Sequence, residues 1–255
     1  MKGIVLETVI ASLDDARAAA AGGADRFELC SALALGGLTP GLGTLERVAA
    51  EVPVPIMCMV RPREGGMAYS AGETDQMMRD AELVVSAGAA GVVFGFLDEQ
   101  GRVDVARCRA FLARVRAIAP EAQAVFHRAF DVTADPDTAL EQLVDLGVTR
   151  VLTSGRARTA LEGAREIRRT IERARGRIEV LPGGGISAAD VEEVVRATGA
   201  DQVHVYVTRE VHDLSAAANP LIRFGAHVPA TETEHRVVDA DGVADLRRRL
   251  ARLPR

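Results

Sequence analysis

Carboxylate and imidazole side chains recur in this sequence at the ends of short apolar runs. Glu7 and Glu28 close the first two runs, and His127 directly follows a later one. Groups of these types, held close together, are what general acid–base catalysis requires. We therefore take five residues as candidate catalytic groups: Glu7, Glu28, His127, Asp131 and His204. The alternatives are a surface charge for the two glutamates and a satisfied core position for His127.

A second set of residues suits an anion. Guanidinium groups bind carboxylates and phosphates in a bidentate manner, and a glycine run before a helix exposes backbone N–H groups. The candidate anion-binding residues are Arg61, Arg63, Arg128, Ser154, Gly183, Gly184 and Gly185. We expect Arg61 and Arg128 also to pair with the two glutamates, or Arg128 with Asp131. The alternative for the glycine run is a tight turn that needs glycine.

The sulfur-bearing residues fall into two groups. Three cysteines (Cys30, Cys58 and Cys108) are too few and too scattered for a disulfide framework or a short zinc motif. Because side chains alternate along a strand, Met57, Met59 and Arg61 share one face, and Cys58 takes the opposite one. If Arg61 faces the centre of the fold, both methionines do so too, while Cys58 packs outward.

The elements that position these residues alternate regularly between strands and helices. Eight apolar runs typical of buried parallel strands recur, each followed by a polar or glycine-rich loop and a helical pattern: 4–6, 26–29, 54–60, 91–94, 124–126, 151–153, 178–181 and 203–207. This predicts a single (β/α)8 barrel over residues 1–207, with its chemistry at the carboxyl ends of the strands. An open doubly wound sheet is the alternative, but no G-x-G-x-x-G follows the first strand. We expect residues 208–236 to form a loop, within an appendage of residues 208–255 that ends in an arginine-rich helix over 243–253.

Composition excludes several classes of protein. The chain has 255 residues, 48% of them apolar, and a formal net charge of −5. The apolar content excludes a disordered chain, and the acidic balance argues against general nucleic-acid binding. No signal peptide and no run of about 18 apolar residues is found. The sequence therefore predicts a cytoplasmic protein that binds neither membranes nor nucleic acids.

Six ordered motifs resemble the CutC family of copper homeostasis proteins: ADRFELCS at 24–31, GGLTP at 36–40, MVRPR at 59–63, FHRAFD at 126–131, RVLTSG at 150–155 and LPGGGI at 181–186. The resemblance implies a cytoplasmic (β/α)8 barrel that forms a homo-oligomer, a dimer or tetramer, with a role in copper tolerance. It also implies a shared polar cluster: Glu28, Cys30, Arg61, Arg63, His127, Arg128, Asp131, Ser154, Gly183 and Gly184. One segment departs from the family pattern, because Val205-Tyr206-Val207 follows His204 where small residues are usual.

Two functions follow from these observations. The family resemblance favours a copper homeostasis protein that binds Cu(I), which prefers thiolate and thioether ligands; the candidate ligands are Cys30, Met57 and Met59. The residues themselves favour an enzyme that acts by acid–base chemistry on a small anionic metabolite. In that case His127 or Glu28 moves a proton, the arginines hold a carboxylate or phosphate, and the glycine run binds a phosphate.

Overall fold

Eight parallel strands form the centre of the fold. The computed structural model describes residues 3–224 and 232–253. Its parallel strands are β1 (Val5–Ile10), β2 (Arg26–Leu29), β3 (Ile56–Met59), β4 (Gly91–Phe94), β5 (Gln123–Phe126), β6 (Arg150–Thr153), β7 (Glu179–Pro182) and β8 (Gln202–Val205). Strands β1 to β7 are neighbours in the order in which they occur along the chain, and β8 pairs with β1. A parallel bridge between Gly183 and His204 joins β7 to β8 and closes the barrel. The predicted barrel is confirmed, because an open doubly wound sheet would not have this strand order.

Helices alternate with the strands. They are α1 (Leu13–Ala21), α2 (Leu42–Glu51), α3 (Ala71–Ser86), α4 (Val105–Ile118), α5 (Pro136–Asp145), α6 (Ala164–Ala174), α7 (Val191–Thr198) and α8 (Ala240–Ala251). The Ser12 hydroxyl accepts the N–H of Asp15 at the start of α1. Asp135 caps α5 in the same way, ahead of Pro136. These helices cover the outer face of the barrel.

The strand side chains divide between two apolar clusters. The larger cluster lies between the strands and the helices and contains Cys58 and Cys108. The smaller one fills the inside of the barrel and consists of Cys30, Met57, Met59, Val93, Val125, Leu152 and Leu181. The two methionines of β3 therefore face inward and Cys58 faces outward, as the alternation along the strand predicts.

A polar network closes the amino-terminal end of the barrel. It is made by the first residue of each of five strands: Arg26, Gln123, Arg150, Glu179 and Gln202. The Arg150 guanidinium, which is fully buried, donates to Glu179 (2.7 Å), Gln202 (3.0 Å) and Gln123 (3.1 Å). Arg26 donates to the same Gln202 oxygen at 2.8 Å. This network occupies one end of the barrel, and the opposite end is the one open to a ligand.

The segment after β8 differs from the sequence prediction. Residues 208–236 were expected to form a loop, but β9 (Thr208–His212) pairs with β10 (Glu234–Val238) as an antiparallel hairpin. The reason is that the two segments, far apart in sequence, pair only in the folded chain, so neither shows a local turn signal. After the hairpin, α8 is held against the barrel by Arg247, which donates to the carbonyls of Gly23 and Ile4. No helix in the described parts of the chain is long and apolar enough to cross a membrane.

Candidate functional site

Glu7 lies in the middle of β1, not at its end as predicted, because β1 continues to Ile10. Its two neighbours in the sheet are Arg26 on β2 and His204 on β8. Arg26 Nε donates to Glu7 Oε2, and His204 Nδ1 lies 2.7 Å from Glu7 Oε1. Burial alone would raise the pKa of Glu7, but the bond to His204 and the charge of Arg26 lower it to about 2. Glu7 is therefore an ionised residue that fixes the orientation of His204.

The partners expected for the two glutamates were wrong. Arg61 and Arg128 were predicted to pair with them, but the ion-pair partner of Glu7 is Arg26. The reason is the register of the sheet, which places Arg26 directly beside Glu7. Arg61 and Arg128 follow the ends of their own strands, nearer the mouth of the barrel. Arg128 instead pairs with Asp131, the alternative noted above.

His204 lies between two carboxylates. Its Nδ1 bonds to Glu7, and its Nε2 is 3.8 Å from Glu28 Oε2. Burial lowers the pKa of His204, but the carboxylates of Glu28 and Glu7 outweigh burial, so the pKa is raised. The two carboxylates therefore favour the protonated form of the imidazole.

Glu28 is a buried carboxyl group whose two oxygens differ in their hydrogen bonds. Its Oε2 accepts a bond from the Cys30 thiol at 3.4 Å, while Oε1 has no hydrogen-bond partner among the described residues. Burial raises the pKa of Glu28, and the charge of Glu7 adds to this, against the opposing effect of His204. Burial, together with the neighbouring Glu28, raises the pKa of Cys30 as well. A carboxyl group with a raised pKa and a free oxygen is suited to general acid–base catalysis.

These groups open into a cavity at the mouth of the barrel. The cavity has a volume of about 450 Å³, which suits a small metabolite. Its polar wall consists of Glu28, Arg61, His127, Arg128 and His204, and its apolar wall includes Val9, Met59 and Leu152. Five of the predicted polar site residues thus share one cavity.

Arg61 is a buried cation without an anionic partner in the described part of the chain. Its side chain donates to the carbonyls of Leu35, Gly37 and Gly65, each at 3.0 Å. Its Nε is buried with no hydrogen-bond partner among the described residues, and the whole residue is only 6% exposed. Carbonyl dipoles offset part of the cost of burying this charge, but a full negative charge would offset more. The cavity wall is therefore electrostatically prepared for an anion.

His127 is a neutral donor in the same wall. Its Nδ1 accepts the N–H of Ala129 at 3.0 Å, so the ring proton is on Nε2. This Nε2 is buried and has no hydrogen-bond partner in the parts of the chain that the structure describes. Burial and the charge of Arg61 lower the pKa of His127 to about 3. The side chain thus supplies an N–H group near Arg61, and the imidazole is not protonated at neutral pH.

The low pKa of His127 predicts a pH-dependent stability. Unfolded histidine has a pKa of about 6.5, so between pH 6.5 and 3 the unfolded chain binds a proton that the folded chain does not. The free energy of unfolding should therefore fall by about 1.4 kcal/mol for each unit by which the pH is lowered within this range. His127→Gln removes this contribution. The free energy of unfolding is measured with urea at pH 6.0 and at pH 4.5. We expect its decrease between the two pH values to be about 2 kcal/mol smaller in the variant than in wild type. The exposed His235, changed to glutamine, is the control, and equal losses in wild type and His127→Gln would contradict the assignment.

Asp131 organises the edge of the site. It accepts the backbone N–H groups of Ser154 and Arg156 at 3.1 and 3.2 Å, and it pairs with Arg128 at 2.8 Å. The Arg128 guanidinium also donates to the Ser154 hydroxyl at 2.7 Å. The Arg128 side chain is 45% exposed and lines the cavity. Asp131 and Ser154 therefore position Arg128 at the entrance.

The glycine run after β7 forms a turn that needs glycine. Gly184 and Gly185 have φ values of +110° and +69°, which side chains rarely adopt. A Cβ atom on Gly183 would lie 2.6 Å from a methyl carbon of Leu152. The turn explains the glycines, the three residues do not line the cavity, and phosphate binding by them stays a prediction.

Arg63 lies outside the cavity. It pairs with Glu73 at 2.5 Å, donates to nearby backbone carbonyls and stacks on the Tyr69 ring at 5.0 Å. Every donor group of this guanidinium is thus close to a protein acceptor. Arg63 therefore serves as a matched control for Arg61.

The predicted sulfur ligands converge only in part. Cys30 and Met59 line the cavity, whereas Met57 is fully buried inside the barrel and does not. A Cβ atom on Gly37 would lie 3.1 Å from Cys30 Sγ and 3.8 Å from Met59 Cε, so the two side chains are neighbours. Donor atoms of Glu7, Glu28 and His204 also lie within 4.8 Å of one another. Thiol, thioether and imidazole groups near one wall fit a soft metal ion.

Two residues that support the site from the amino-terminal side of the barrel are not among the predicted ones. Arg26 and Gln202 connect Glu7 to the polar network at the amino-terminal end of the barrel. Both begin strands whose other residues are mainly apolar, where a polar residue looks like the edge of a loop. The sequence did contain a signal for Arg26. It lies two positions before Glu28 on β2, so the two side chains must face the same side of the strand, which is the barrel interior.

Comparisons with known proteins agree with the resemblance seen in the motifs. The model of the CutC family matches residues 4–209. A "family protein CutC" from Treponema denticola is 45% identical over 241 residues, 94% of this chain and 96% of that protein. A human "Copper homeostasis protein cutC homolog" is 40% identical over 244 residues, 96% of this chain and 88% of that protein. A solved structure of a copper homeostasis protein CutC from Streptococcus agalactiae is 30% identical with a TM-score of 0.73, covering 79% of this chain and 97% of that one.

Proposed function

This chain belongs to the CutC family of copper homeostasis proteins, and we propose that its barrel mouth is the active site of an enzyme acting by acid–base chemistry on a small anionic metabolite. The observation that carries the proposal is the buried Arg61, which has no anionic partner in the described part of the chain and an unpartnered Nε. It lines the same cavity as Glu28, His127 and His204. A cation prepared for an anion, next to groups that can move a proton, is the combination such an enzyme needs.

The binding step places the anionic group of the substrate on one wall. A carboxylate or phosphate there accepts hydrogen bonds from Arg61 Nε and His127 Nε2, which are both buried and have no partner among the described residues. The bonds are charge-assisted on the arginine side. Arg128 at the entrance can contact a second polar group.

The chemical step is assigned to Glu28 and His204. Glu28 removes a proton from the bound molecule or returns one to it, because its side chain lines the cavity and its buried Oε1 has no hydrogen-bond partner among the described residues. His204, held by Glu7 and 3.8 Å from Glu28, stabilises the carboxylate when it is charged. His127 contributes its N–H and does not act as a base.

Arg61→Lys tests the anion site. Lysine keeps the positive charge but loses the Nε donor and the planar fork, so we expect affinity for a small anion to fall about 10- to 100-fold. Isothermal titration calorimetry with acetate, glycolate, phosphoglycolate and inorganic phosphate measures this. Arg63→Lys, whose arginine is outside the cavity, should bind like wild type. The proposal fails if none of these anions binds the wild-type protein, or if both variants bind equally well.

A second function is favoured by a separate observation. Cys30 and Met59 lie side by side in the cavity wall, with His204 nearby, and we propose this wall as the Cu(I) site that the family name suggests. The raised pKa of Cys30 means that binding must release the thiol proton. Any copper at this site is cargo, and the acid–base proposal does not depend on it.

Cys30→Ser tests the copper proposal. Serine removes the thiol, so we expect most of the stoichiometric Cu(I) binding to be lost, measured by competition with a chromogenic chelator under anaerobic conditions. Cys108→Ser is the control, because Cys108 is buried against the helices, away from the cavity. Unchanged Cu(I) stoichiometry in Cys30→Ser would rule out this wall. A cytoplasmic location and a homo-oligomeric state stay predictions from the sequence.

A further inference from the structure

A second cavity adjoins the one described above. It has a volume of about 690 Å³ and lies between the end of β1, the short helix Leu33–Leu35 and the hairpin of β9 and β10. Leu33 and Tyr206 line both cavities. We call the two the inner and outer chambers. Two wall residues are therefore common to both chambers.

Tyr206 separates the two chambers. It follows His204 by two residues, so it continues the inward-facing side of β8 at the mouth of the barrel. The residue is 42% exposed, in contrast to the buried aromatic rings among the helices. A half-exposed aromatic ring at a cavity wall offers a flat apolar surface and a hydroxyl group.

The outer chamber is not built for a second anion. Its walls carry Glu210, Glu234, His235 and Arg236, and Glu210 is the sheet partner of Arg236. The chamber wall therefore carries charges of both signs beside the apolar residues Leu33, Ala34 and Ala11. Such a surface favours an uncharged, flat group with a few polar atoms at its rim.

We propose that the substrate is an amphipathic anion. Its carboxylate or phosphate lies in the inner chamber on Arg61 and His127, and an aromatic or heteroaromatic ring lies in the outer chamber against Tyr206 and Leu33. This inference rests on the proposed function and adds the class of molecule that the site accepts. Tyr206 is then the residue that selects for the ring.

Paired probes with and without a ring test this inference. We compare propionate with 3-phenylpropionate, and inorganic phosphate with phenyl phosphate, by calorimetry on the full chain. The aryl member of at least one pair should bind wild type at least tenfold more tightly. Tyr206→Ala should remove most of this advantage, so that the two members of each pair bind the variant with similar affinity. Tyr206→Phe should retain it, and Leu214→Ala, which changes a side chain exposed elsewhere on the tail, should behave as wild type.

The outcomes separate the two proposals. This inference is overturned, and the anion site stands, if wild type binds propionate or phosphate but binds the aryl members no more tightly. It is also overturned if Tyr206→Ala retains the full increase in affinity for the aryl members. If wild type binds none of the four probes, the anion site fails and this inference fails with it. A gain that depends on Tyr206 supports both.

Discussion

Glu28→Gln is expected to reduce turnover of the substrate about 100- to 10,000-fold, the usual contribution of a positioned acid–base group. Glutamine has the same size and can keep contacts with Cys30 and His204, but it cannot accept and return a proton. The fold should be retained, because the pKa of Glu28 is raised and the neutral amide avoids the cost of burying a charge. The loss is therefore expected in the chemical step.

The measurement does not require the substrate to be known in advance. The purified protein is incubated in D2O with a set of small carboxylates and phosphate esters, and deuterium incorporation and conversion are followed by NMR. Glu73→Gln is the control, since Glu73 pairs with Arg63 outside the cavity. Turnover by Glu28→Gln at the wild-type rate would remove Glu28 from the mechanism.

Arg26→Met is expected to lower the free energy of unfolding by about 3–5 kcal/mol, the usual cost of removing one partner from a buried ion pair. Arg26 and Glu7 are both almost fully buried, and the variant leaves the Glu7 carboxylate with His204 but without its arginine. It also leaves the Gln202 oxygen with fewer donors. For a chain of this size the melting temperature should fall by roughly 2–4 °C for each kcal/mol.

Urea unfolding provides the comparison. Arg17→Met removes an arginine that also pairs with carboxylates but is half-exposed, so it should cost less than about 1 kcal/mol. The double variant Arg26→Met/Glu7→Gln should recover part of the loss, because it no longer buries an unpaired charge. Equal, small losses in Arg26→Met and Arg17→Met would show that the buried pair does not hold the site.

Much of the fold could be predicted because it repeats a local pattern. Most strands are short apolar runs, and some helices begin at a side-chain cap such as Ser12 or Asp135, so the barrel follows from the order of the elements. The hairpin of β9 and β10 could not be predicted in this way. Its strands are joined by a long connection, and pairing between distant segments leaves little trace in either one.

The sequence indicates which types of residue lie near the mouth of the barrel, but not which of them pair with one another. Position at the strand ends and alternation along β3 placed Glu28, Arg61 and His127 correctly near one mouth. The sequence could not show that Glu7 pairs with Arg26, because that depends on the register between two strands. Nor could it show that the donor groups of Arg63 are close to protein acceptors while Arg61 has no anionic partner in the described part of the chain. That difference depends on the conformation of the loops after β2 and β3.

The copper and enzyme proposals use the same cavity and share His204, but the copper wall and the anion wall consist of different residues. Copper would use sulfur and imidazole groups on the wall formed by Cys30 and Met59, whereas a metabolite would use Arg61 and His127. Cys30→Ser should therefore affect the first function and leave anion binding intact. Arg61→Lys should do the reverse.

A crystal structure of the protein grown or soaked with the tightest-binding anion tests the central claim most directly. The account predicts an oxygen atom of the anion within hydrogen-bond distance of both Arg61 Nε and His127 Nε2, with the rest of the molecule directed towards Glu28. Solvent alone between these two side chains, in crystals held at saturating concentrations of an anion that binds in solution, would contradict it.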